Sequence, residues 1–457
     1  MNRSNRRRFL RAAAAGGLAY AFGRTPQAVM AQTFETGGPF TDYKALVCVF
    51  LFGGNDSFNV VVPRSTAEYA AYAASRQNLA IAQDQLIPIN PLVSDGSTYG
   101  FHPSMSGLAD LFEQSRCAVV ANVGPLLAPT TKTQYLAKSV PLPPQLFSHN
   151  DQQDQWQSLK GRSVLKSGWA GRIADVMAQR VTGQQLALNA SLAGQALLQA
   201  GNTTVPYIMG ASGAVPFTGF GTSGSTLARR RAFESIAGAS FDTVYERGFA
   251  EVHRRAVLFS DRVNQALRDA QPLVALPDNP VTALSPLATQ LRTVAKLISM
   301  RAQLGMSRQI FLVSTGGFDT HDDQLADQPG LLGNVSSSLK AFYDATVELG
   351  VANAVTTFTE SDFGRTLTSN GDGTDHAWGG IQLVMGDAVR GRTLYGAYPR
   401  LEINGPDDVG AGRMIPTTSA DQYAATLARW FGVSEQNLNY VAPSLANFAT
   451  RDLGFLI

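Results

Sequence analysis

Residues 44–52 have the sequence KALVCVFLF. The stretch is apolar after its first residue, and the polar, glycine-rich sequence Gly53-Gly54-Asn55-Asp56-Ser57 follows it at once. An apolar run of this length that stops at a turn sequence predicts a β-strand. Because the run is apolar on both faces of the strand, it is typical of a parallel sheet with helices on each side.

Similar apolar runs alternate with helix-like segments along the rest of the chain. Further strands are predicted at residues 117–123, 309–314, 354–359 and 381–385. Apolar residues at helical spacing predict helices at residues 104–114, 168–180, 331–349 and 422–431. The alternation predicts an α/β fold in which a mainly parallel sheet is sandwiched by helices.

The middle of the chain has a different composition. Residues from about 200 to 225 are rich in Gly, Ser and Thr and predict a loop, whereas residues from about 226 to 305 are mostly of helical type and rich in arginine. We therefore expect one α/β domain over residues 32–457, with a helical and Gly/Ser-rich insertion at about 200–305. With 44% hydrophobic and 16% charged residues, the composition excludes a disordered chain.

The first 31 residues carry six arginines and no acidic residue. The sequence Arg6-Arg7-Arg8-Phe9-Leu10-Arg11 and the apolar run after it are typical of a twin-arginine export signal, with cleavage after about Ala31. The apolar run is about half the roughly 20 residues that a membrane span needs, and no other segment predicts a permanent span. We therefore expect a periplasmic or secreted protein that uses the twin-arginine export machinery.

The formal net charge of +2 comes from this signal. Without its six arginines, 31 basic and 35 acidic residues remain, which gives a net charge of −4. A negative chain gives no support to nucleic-acid binding. The only cysteines are Cys48 and Cys117, which excludes a cysteine-based zinc site. Both lie in apolar runs, so two buried free thiols are favoured over a disulfide.

Five polar segments carry residue types that bind metals or transfer protons. Three of them directly follow predicted strands, and the carboxyl ends of parallel strands meet at one edge of a sheet, where such folds place their sites. Histidines and acids gathered there could ligate a first-row metal, or form a general acid/base set without a metal. The segments are GGNDS at 53–57, SHND at 148–151, GGFDTH at 316–321, TESDFGR at 359–365 and GTDHAWGG at 373–380.

Taken together and in order, these motifs resemble the family called domain of unknown function 1501. The resemblance rests on the twin-arginine start, GGND, SHNDQQDQW, GGFDTH, SDFGRT and GTDHAWGG, and it covers essentially the whole chain after residue 31. That family is similar to the alkaline phosphatase and sulfatase superfamily. The resemblance implies a mixed, mainly parallel sheet, two metal ions at its carboxyl edge, and a Ser, Thr or modified Cys as nucleophile.

The resemblance also implies roles for individual residues, transferred motif by motif. Ser148 matches the nucleophile, although its position before a predicted helix suits an N-cap equally well. Arg365 could contact an anionic oxygen of the substrate. The cofactor implied is a divalent metal: zinc, calcium or magnesium. The implied metal ligands are Asp56, Asp319, His321, Asp362 and His376.

The chain departs from the superfamily pattern at three places. Phe363 follows Asp362 where alkaline phosphatases have a histidine, and Asp319 and His321 are two residues apart instead of four. Cys117 is followed by Ala-Val-Val-Ala, so it does not start the Cys-x-Pro-x-Arg motif of sulfatases. With one ligand missing, the site would hold a single metal, hold a harder ion such as calcium, or be inactive.

Two functions follow from these observations. The first is an exported metal-dependent hydrolase that cleaves a small anionic substrate, a phosphate or sulfate ester. The alternative is a non-catalytic periplasmic binding or accessory protein on the same fold, with the arginine-rich insertion as its contact surface. In that case the partner would be another exported protein.

Overall fold

The structure, a computed structural model, describes Glu35 and residues 38–457, so the predicted export signal at residues 1–31 lies outside the described residues. The strands are β1 (Lys44–Leu51), β2 (Val61–Pro63), β3 (Ile87–Ile89), β4 (Tyr99–Phe101), β5 (Cys117–Gly124), β6 (Asn189–Ser191), β7 (Tyr207–Ile208), β8 (Arg308–Thr315), β9 (Val355–Ser361), β10 (Gly380–Met385), β11 (Leu394–Tyr395) and β12 (Thr418–Ser419).

Eleven α-helices surround these strands in the described part of the chain. They are α1 (Thr66–Arg76), α2 (Ser106–Glu113), α3 (Lys132–Ala137), α4 (His149–Ser158), α5 (Trp169–Met177), α6 (Gly224–Ala237), α7 (Val244–Asp269), α8 (Pro286–Ser299), α9 (Gln324–Glu348), α10 (Ala420–Phe431) and α11 (Glu435–Val441). The segment predicted as an insertion contains β7 and the helices α6, α7 and α8.

The large sheet confirms the predicted fold class. Its strands lie in the order β11-β5-β10-β9-β1-β8-β6-β7, with β12 beside β5. All its pairings are parallel except those of β10, which runs antiparallel to both β5 and β9. The strand β1 lies at the centre, between β8 and β9. The sheet is therefore mixed and mainly parallel, as the sequence predicts.

Both faces of this sheet are covered, which explains why β1 is apolar throughout. Val47 and Val49 belong to one core cluster, which also takes in residues of α8 and α9. Cys48 and Phe50 point to the opposite face and pack in a second cluster with residues of α5 and α10. Cys48 and Cys117 are both buried and unpaired, so the prediction of two free thiols is confirmed.

The helix α9 begins seven residues earlier than predicted, at Gln324 instead of residue 331. Pro329 and Gly330 in its sequence favour an end or start of a helix, so the prediction began after them. Pro329 lies inside α9, where it removes the hydrogen bond to the carbonyl of Leu325 and its ring crowds that carbonyl, a cost that the rest of the helix overrides. This early start matters because it brings the side chain of Gln324 to the carboxyl edge of the sheet.

The described residues also bear on membrane association. None of their helices combines the length and the apolar character that a membrane span requires. The longest, α7 and α9, both carry charged residues.

Candidate metal centre

The polar loops after β1, β8 and β9 start side by side. In the parallel register Leu51 is level with Thr315 on one side and with Ser361 on the other. The three strands therefore end at the same edge of the sheet, as predicted from their sequences. The GGND, GGFDTH and SDFGRT segments all begin at this edge, which is where α/β folds place their sites.

Two glycines let these loops approach each other closely. Gly53 has a φ of +116°, and a Cβ at this position would lie 2.4 Å from the backbone nitrogen of Asp319. A Cβ on Gly373 would lie 2.2 Å from the carbonyl oxygen of His321. Any larger residue would push the loops apart, so the glycines are part of what assembles the site.

Three side chains from distant parts of the sequence form the centre of the site. One ligand atom each of His149, Asp319 and His376 lies within 4.8 Å of the other two. The Nε2 atom of His149 is 3.4 Å from Asp319 Oδ2, and that of His376 is 3.3 Å from Asp319 Oδ1. Ligand atoms bound tetrahedrally at about 2.1 Å from one zinc ion lie about 3.4 Å apart, so these distances fit a metal site.

A fourth side chain, His321, lies at the rim of this cluster. Its Nε2 is 3.1 Å from Asp319 Oδ1 and 2.9 Å from His376 Nε2. Its Nδ1 is 3.2 Å from a carboxylate oxygen of Asp375, which is half exposed. His321 is therefore placed to add a nitrogen to the group, or to act beside it.

Hydrogen bonds fix the tautomers of the two inner histidines. Nδ1 of His376 donates to the carbonyl of Phe147 at 2.8 Å, so its Nε2 keeps a lone pair. Nδ1 of His149 donates to Asp362 Oδ2 at 2.7 Å, which likewise leaves a lone pair on the Nε2 that faces Asp319. Such partners on the far nitrogen orient metal-binding histidines and raise their basicity.

The protonation states also suit metal ligands. Burial raises the pKa of Asp319, but the hydrogen bond and the charge of Arg365 outweigh it and bring the pKa below its usual value. Burial lowers the pKa of His376, and the neighbouring His149 lowers it further. At neutral pH the site therefore offers an ionised carboxylate and a neutral imidazole, the forms that bind metals.

Phe363, the residue after Asp362, packs against the rings of the site. Its ring centroid is 4.8 Å from that of His149 and 4.6 Å from that of His376. Phe363 is itself buried. It therefore offers no ligand atom, and its contacts help to hold both imidazoles in place.

Asp362 reaches the cluster only through His149. Its side chain is fully buried, and its Oδ2 accepts hydrogen bonds from His149 Nδ1 and, at 2.9 Å, from Gln153 Nε2. The structure places Asp362 behind the ring of His149, where its hydrogen bond orients the imidazole. Its role as a direct metal ligand stays a prediction.

Asp56 lies apart from the cluster. It is buried, forms an ion pair with the buried Arg76, and accepts a hydrogen bond from Gln324 Nε2. Gln328 Nε2 donates to its backbone carbonyl at 2.9 Å. The structure does not bring Asp56 together with His149, Asp319 and His376, so its role as a metal ligand also stays a prediction.

The guanidinium of Arg365 forms hydrogen bonds to several other residues of the protein. It donates to Asp319 Oδ1 at 2.5 Å and to the Gly53 carbonyl at 3.2 Å, and it also donates to the carbonyl and the hydroxyl of Thr374. The side chain is fully buried. Arg365 thus balances the charge of Asp319 from behind the cluster, and its contact with a substrate oxygen stays a prediction.

Ser148 directly precedes His149 and is the N-cap residue of α4. Its hydroxyl donates to Asp151 Oδ2 at 2.7 Å and makes no capping hydrogen bond to the helix. The carboxylate that accepts this hydrogen bond could also take the proton of the hydroxyl. Ser148 as a nucleophile stays a prediction.

A comparison with protein families decides where this chain belongs. The family described as "Protein of unknown function (DUF1501)" matches residues 43–441. The chain is a member of the DUF1501 family. The resemblance inferred from its motifs is thereby confirmed, whereas a search of curated proteins finds no match.

Solved structures show distant similarity to this DUF1501 protein. Ps i-CgsB in complex with k-i-k-neocarrahexaose is 8% identical, with 87% of this chain and 74% of that chain covered and a TM-score of 0.35. The lipoteichoic acid synthase LtaP from Listeria monocytogenes is 10% identical, with 86% and 73% covered and a TM-score of 0.33.

The main site residue that sequence reasoning missed in this DUF1501 protein is His149. Its segment, SHND, is polar and rich in reactive residue types, but the resemblance implies Ser148 as the functional residue. The available signal was the scarcity of histidine, since the chain has only five. Three of them lie in the polar segments, and the structure brings those three, His149, His321 and His376, together around Asp319.

Proposed function

We propose that this protein is an exported metal-dependent hydrolase of phosphate or sulfate esters, and that His149, Asp319 and His376 hold its metal. The observation that carries the proposal is their convergence at the carboxyl edge of the sheet, with ligand atoms within 4.8 Å of one another. Two imidazoles and one carboxylate favour zinc over calcium or magnesium, because the harder ions prefer oxygen ligands.

The surroundings of these residues suit an anionic ester. A divalent cation bound there would act as a Lewis acid and neutralise charge on the ester oxygens. The N-terminus of α4, which begins at His149, contributes backbone N–H groups and the positive end of a helix dipole. We propose that the Ser148 oxygen attacks the phosphorus or sulfur of the ester while the bond to the alcohol oxygen breaks. Asp151, 2.7 Å from the hydroxyl, accepts the serine proton and passes it to the departing alcohol, and water then hydrolyses the ester formed on Ser148.

Metal analysis and an ester panel test this proposal. The protein without residues 1–31 is purified, its metal content is measured, and aryl phosphate and aryl sulfate esters are offered to it. We expect bound zinc and turnover of one ester class. His376→Gln should lose both zinc and turnover, because it removes a ligand whose Nε2 lies 3.3 Å from Asp319.

A matched control comes from the helix α7. His253 is half-buried, and its Nδ1 lies 2.8 Å from the Phe249 carbonyl. His253→Gln therefore makes the same chemical change outside the cluster and should keep zinc and turnover. Retention of zinc by His376→Gln would overturn the metal centre. Full turnover by Ser148→Ala would remove only the nucleophile assignment.

One observation favours the alternative of an exported accessory protein. Tyr245, Phe249 and Val252 stand at helical spacing on α7, and all three are exposed. An apolar stripe of this kind is typical of a helix that contacts another molecule. Bound zinc without turnover of any ester, together with loss of partner binding in Phe249→Glu, would support this second function.

A further inference from the structure

A single buried amide, that of Gln324, joins three of the loops around the candidate metal centre. Its Nε2 donates to Asp56 in the loop after β1. Its Oε1 accepts from the hydroxyl of Thr320 at 3.1 Å and from the hydroxyl of Thr374 at 2.6 Å. Gln324 is fully buried, so water does not compete for these hydrogen bonds.

The hydrogen bonds continue from Thr374 to the metal centre. Arg365 Nε donates to the Thr374 hydroxyl at 3.1 Å, and Arg365 Nη1 donates to Asp319 Oδ1 at 2.5 Å. The result is a continuous relay that runs from Asp56 through Gln324, Thr374 and Arg365 to Asp319. Each of the three connecting side chains is buried.

The two ends of the relay fix the direction of every hydrogen bond in it. Arginine can only donate and an ionised carboxylate can only accept. The Thr374 hydroxyl therefore accepts from Arg365 and must donate to Gln324 Oε1. That in turn leaves the Gln324 Nε2 group to donate to Asp56. The amide orientation, which is often ambiguous, is set here by the charges at either end.

We infer that Gln324 is a positioning residue, which holds Arg365 and through it Asp319 in the geometry that binds the metal. The inference rests on the proposed metal centre. Arg365 has few ways to move, because its remaining contacts are carbonyl oxygens of Gly53 and Thr374. Asp319 is 44% exposed and needs such a fixed partner to keep its oxygens between the histidines.

The chain offers a matched control one helical turn away. Gln328 is also buried and also contacts residue 56, through a hydrogen bond from its Nε2 to the Asp56 carbonyl at 2.9 Å. Its Oε1 accepts from Asn59 Nδ2 at 3.1 Å. The contacts of Gln328 thus resemble those of Gln324, but they lie outside the relay.

The first test compares Gln324→Met with Gln328→Met in the protein without residues 1–31. Zinc affinity is measured by competition with a chromophoric chelator, and thermal stability is measured in parallel. Both variants lose buried hydrogen bonds, so both should unfold at a lower temperature. We expect Gln324→Met alone to bind zinc about tenfold or more weakly, as is usual when a partner of a metal ligand is lost.

The second test moves the negative charge from residue 56 to residue 324 in two steps. In Gln324→Glu a carboxylate faces Asp56, and the repulsion should weaken zinc binding about tenfold or more. Adding Asp56→Asn removes this repulsion, and because Arg76 and residue 324 both contact residue 56 at the same atom, the carboxylate at residue 324 remains as the one negative charge next to Arg76. The double variant should therefore recover zinc affinity, which a residue with only a space-filling role would not do.

The outcomes separate this inference from the proposed function. A wild-type protein that binds no zinc overturns the metal centre, and the positioning role with it. Zinc binding in the wild type with equal losses in Gln324→Met and Gln328→Met overturns the positioning role alone. So does a double variant that binds zinc no better than Gln324→Glu.

Discussion

The loop after β1 and the loop after β8 begin with nearly the same sequence, GGND and GGFD, and start side by side. Each aspartate is paired with a buried arginine, Asp56 with Arg76 and Asp319 with Arg365. Yet the side chain of Asp56 is 1% exposed, whereas that of Asp319 is 44% exposed and faces three histidines. The difference lies in what surrounds the carboxylates, since the local sequences are alike.

This contrast separates a stabilising carboxylate from one that is available for chemistry. Arg76 also donates to the carbonyl of Thr366 at 2.9 Å, so the Asp56 pair fastens the loop after β1 to the loop after β9. Arg365 donates to Asp319 Oδ1, yet both carboxylate oxygens still face histidines: Oδ1 lies 3.3 Å from His376 and Oδ2 lies 3.4 Å from His149. An aspartate after a parallel strand thus becomes a candidate ligand only where histidines from other loops reach its open side.

The largest effect should come from Asp56→Asn, compared with Asp319→Asn. Removing the anion from a fully buried ion pair leaves Arg76 with an uncompensated charge, and this should lower the free energy of unfolding by about 3 to 5 kcal/mol. At the half-exposed Asp319 water can replace the lost anion, so we expect a loss of about 1 kcal/mol. Urea unfolding of both variants measures the difference.

Zinc affinity should rank the two variants in the opposite order to stability. Asp319→Asn removes a proposed ligand and should lose more affinity than Asp56→Asn, which acts only through the relay at Gln324. Equal losses of stability in the two variants would contradict the division between a buried, stabilising Asp56 and a half-exposed Asp319. A larger loss of zinc affinity in Asp56→Asn than in Asp319→Asn would make Asp56 the ligand.

A third carboxylate, Glu360 on β9, extends the comparison to an acid without an arginine partner. It is fully buried, and the Cys48 thiol lies 3.8 Å from its Oε2. Burial raises the pKa of Glu360 from its usual 4.5 to about 8. Between these two values the unfolded chain is ionised while the folded one keeps its proton, so stability falls as pH rises through this window.

Glu360→Gln should remove this penalty. The variant should match the wild type below about pH 4.5 and be more stable above it, by at most about 3 kcal/mol at pH 7. Urea unfolding between pH 4 and pH 8 measures the effect. Glu68→Gln on the exposed side of α1 is the control, and a surface change of this kind should stay within about 0.5 kcal/mol. A pH-independent difference between Glu360→Gln and the wild type would contradict a neutral buried Glu360.

Much of the fold could be predicted from local sequence. Apolar runs mark β1, β5 and β8, and a run of β-branched residues marks β9, to within two residues, because a strand that is buried on both faces is rich in apolar and β-branched residues. The antiparallel direction of β10 was beyond such reasoning, because direction depends on the long loop between β9 and β10 and leaves no trace in the strand itself. The start of α9 was wrong because Pro329 favours a break that the rest of the helix overrides.

The site was predicted only at the level of segments. The motifs identified Asp319, His321 and His376, and parallel strand ends explain why two of the loops meet. The partner Arg76 lies on α1, 20 residues after Asp56, and Gln324 is the first residue of α9, just after the GGFDTH motif. Nothing in their local sequence marks either of them as a partner of Asp56. Residues on those helices decide which of the two aspartates is buried. The sequence motif alone could therefore not distinguish Asp56 from Asp319.

The smallest expected effect concerns two carboxylates that each face Nδ1 of a histidine. Asp362 is fully buried and holds His149 at 2.7 Å, whereas Asp375 is half exposed and lies 3.2 Å from His321. If His149 is a ligand and His321 is not, Asp362→Asn should weaken zinc binding about tenfold, and Asp375→Asn should leave it unchanged. Equal losses of zinc affinity in the two variants would mean that His321 also binds the metal. The site would then have three histidine ligands beside Asp319.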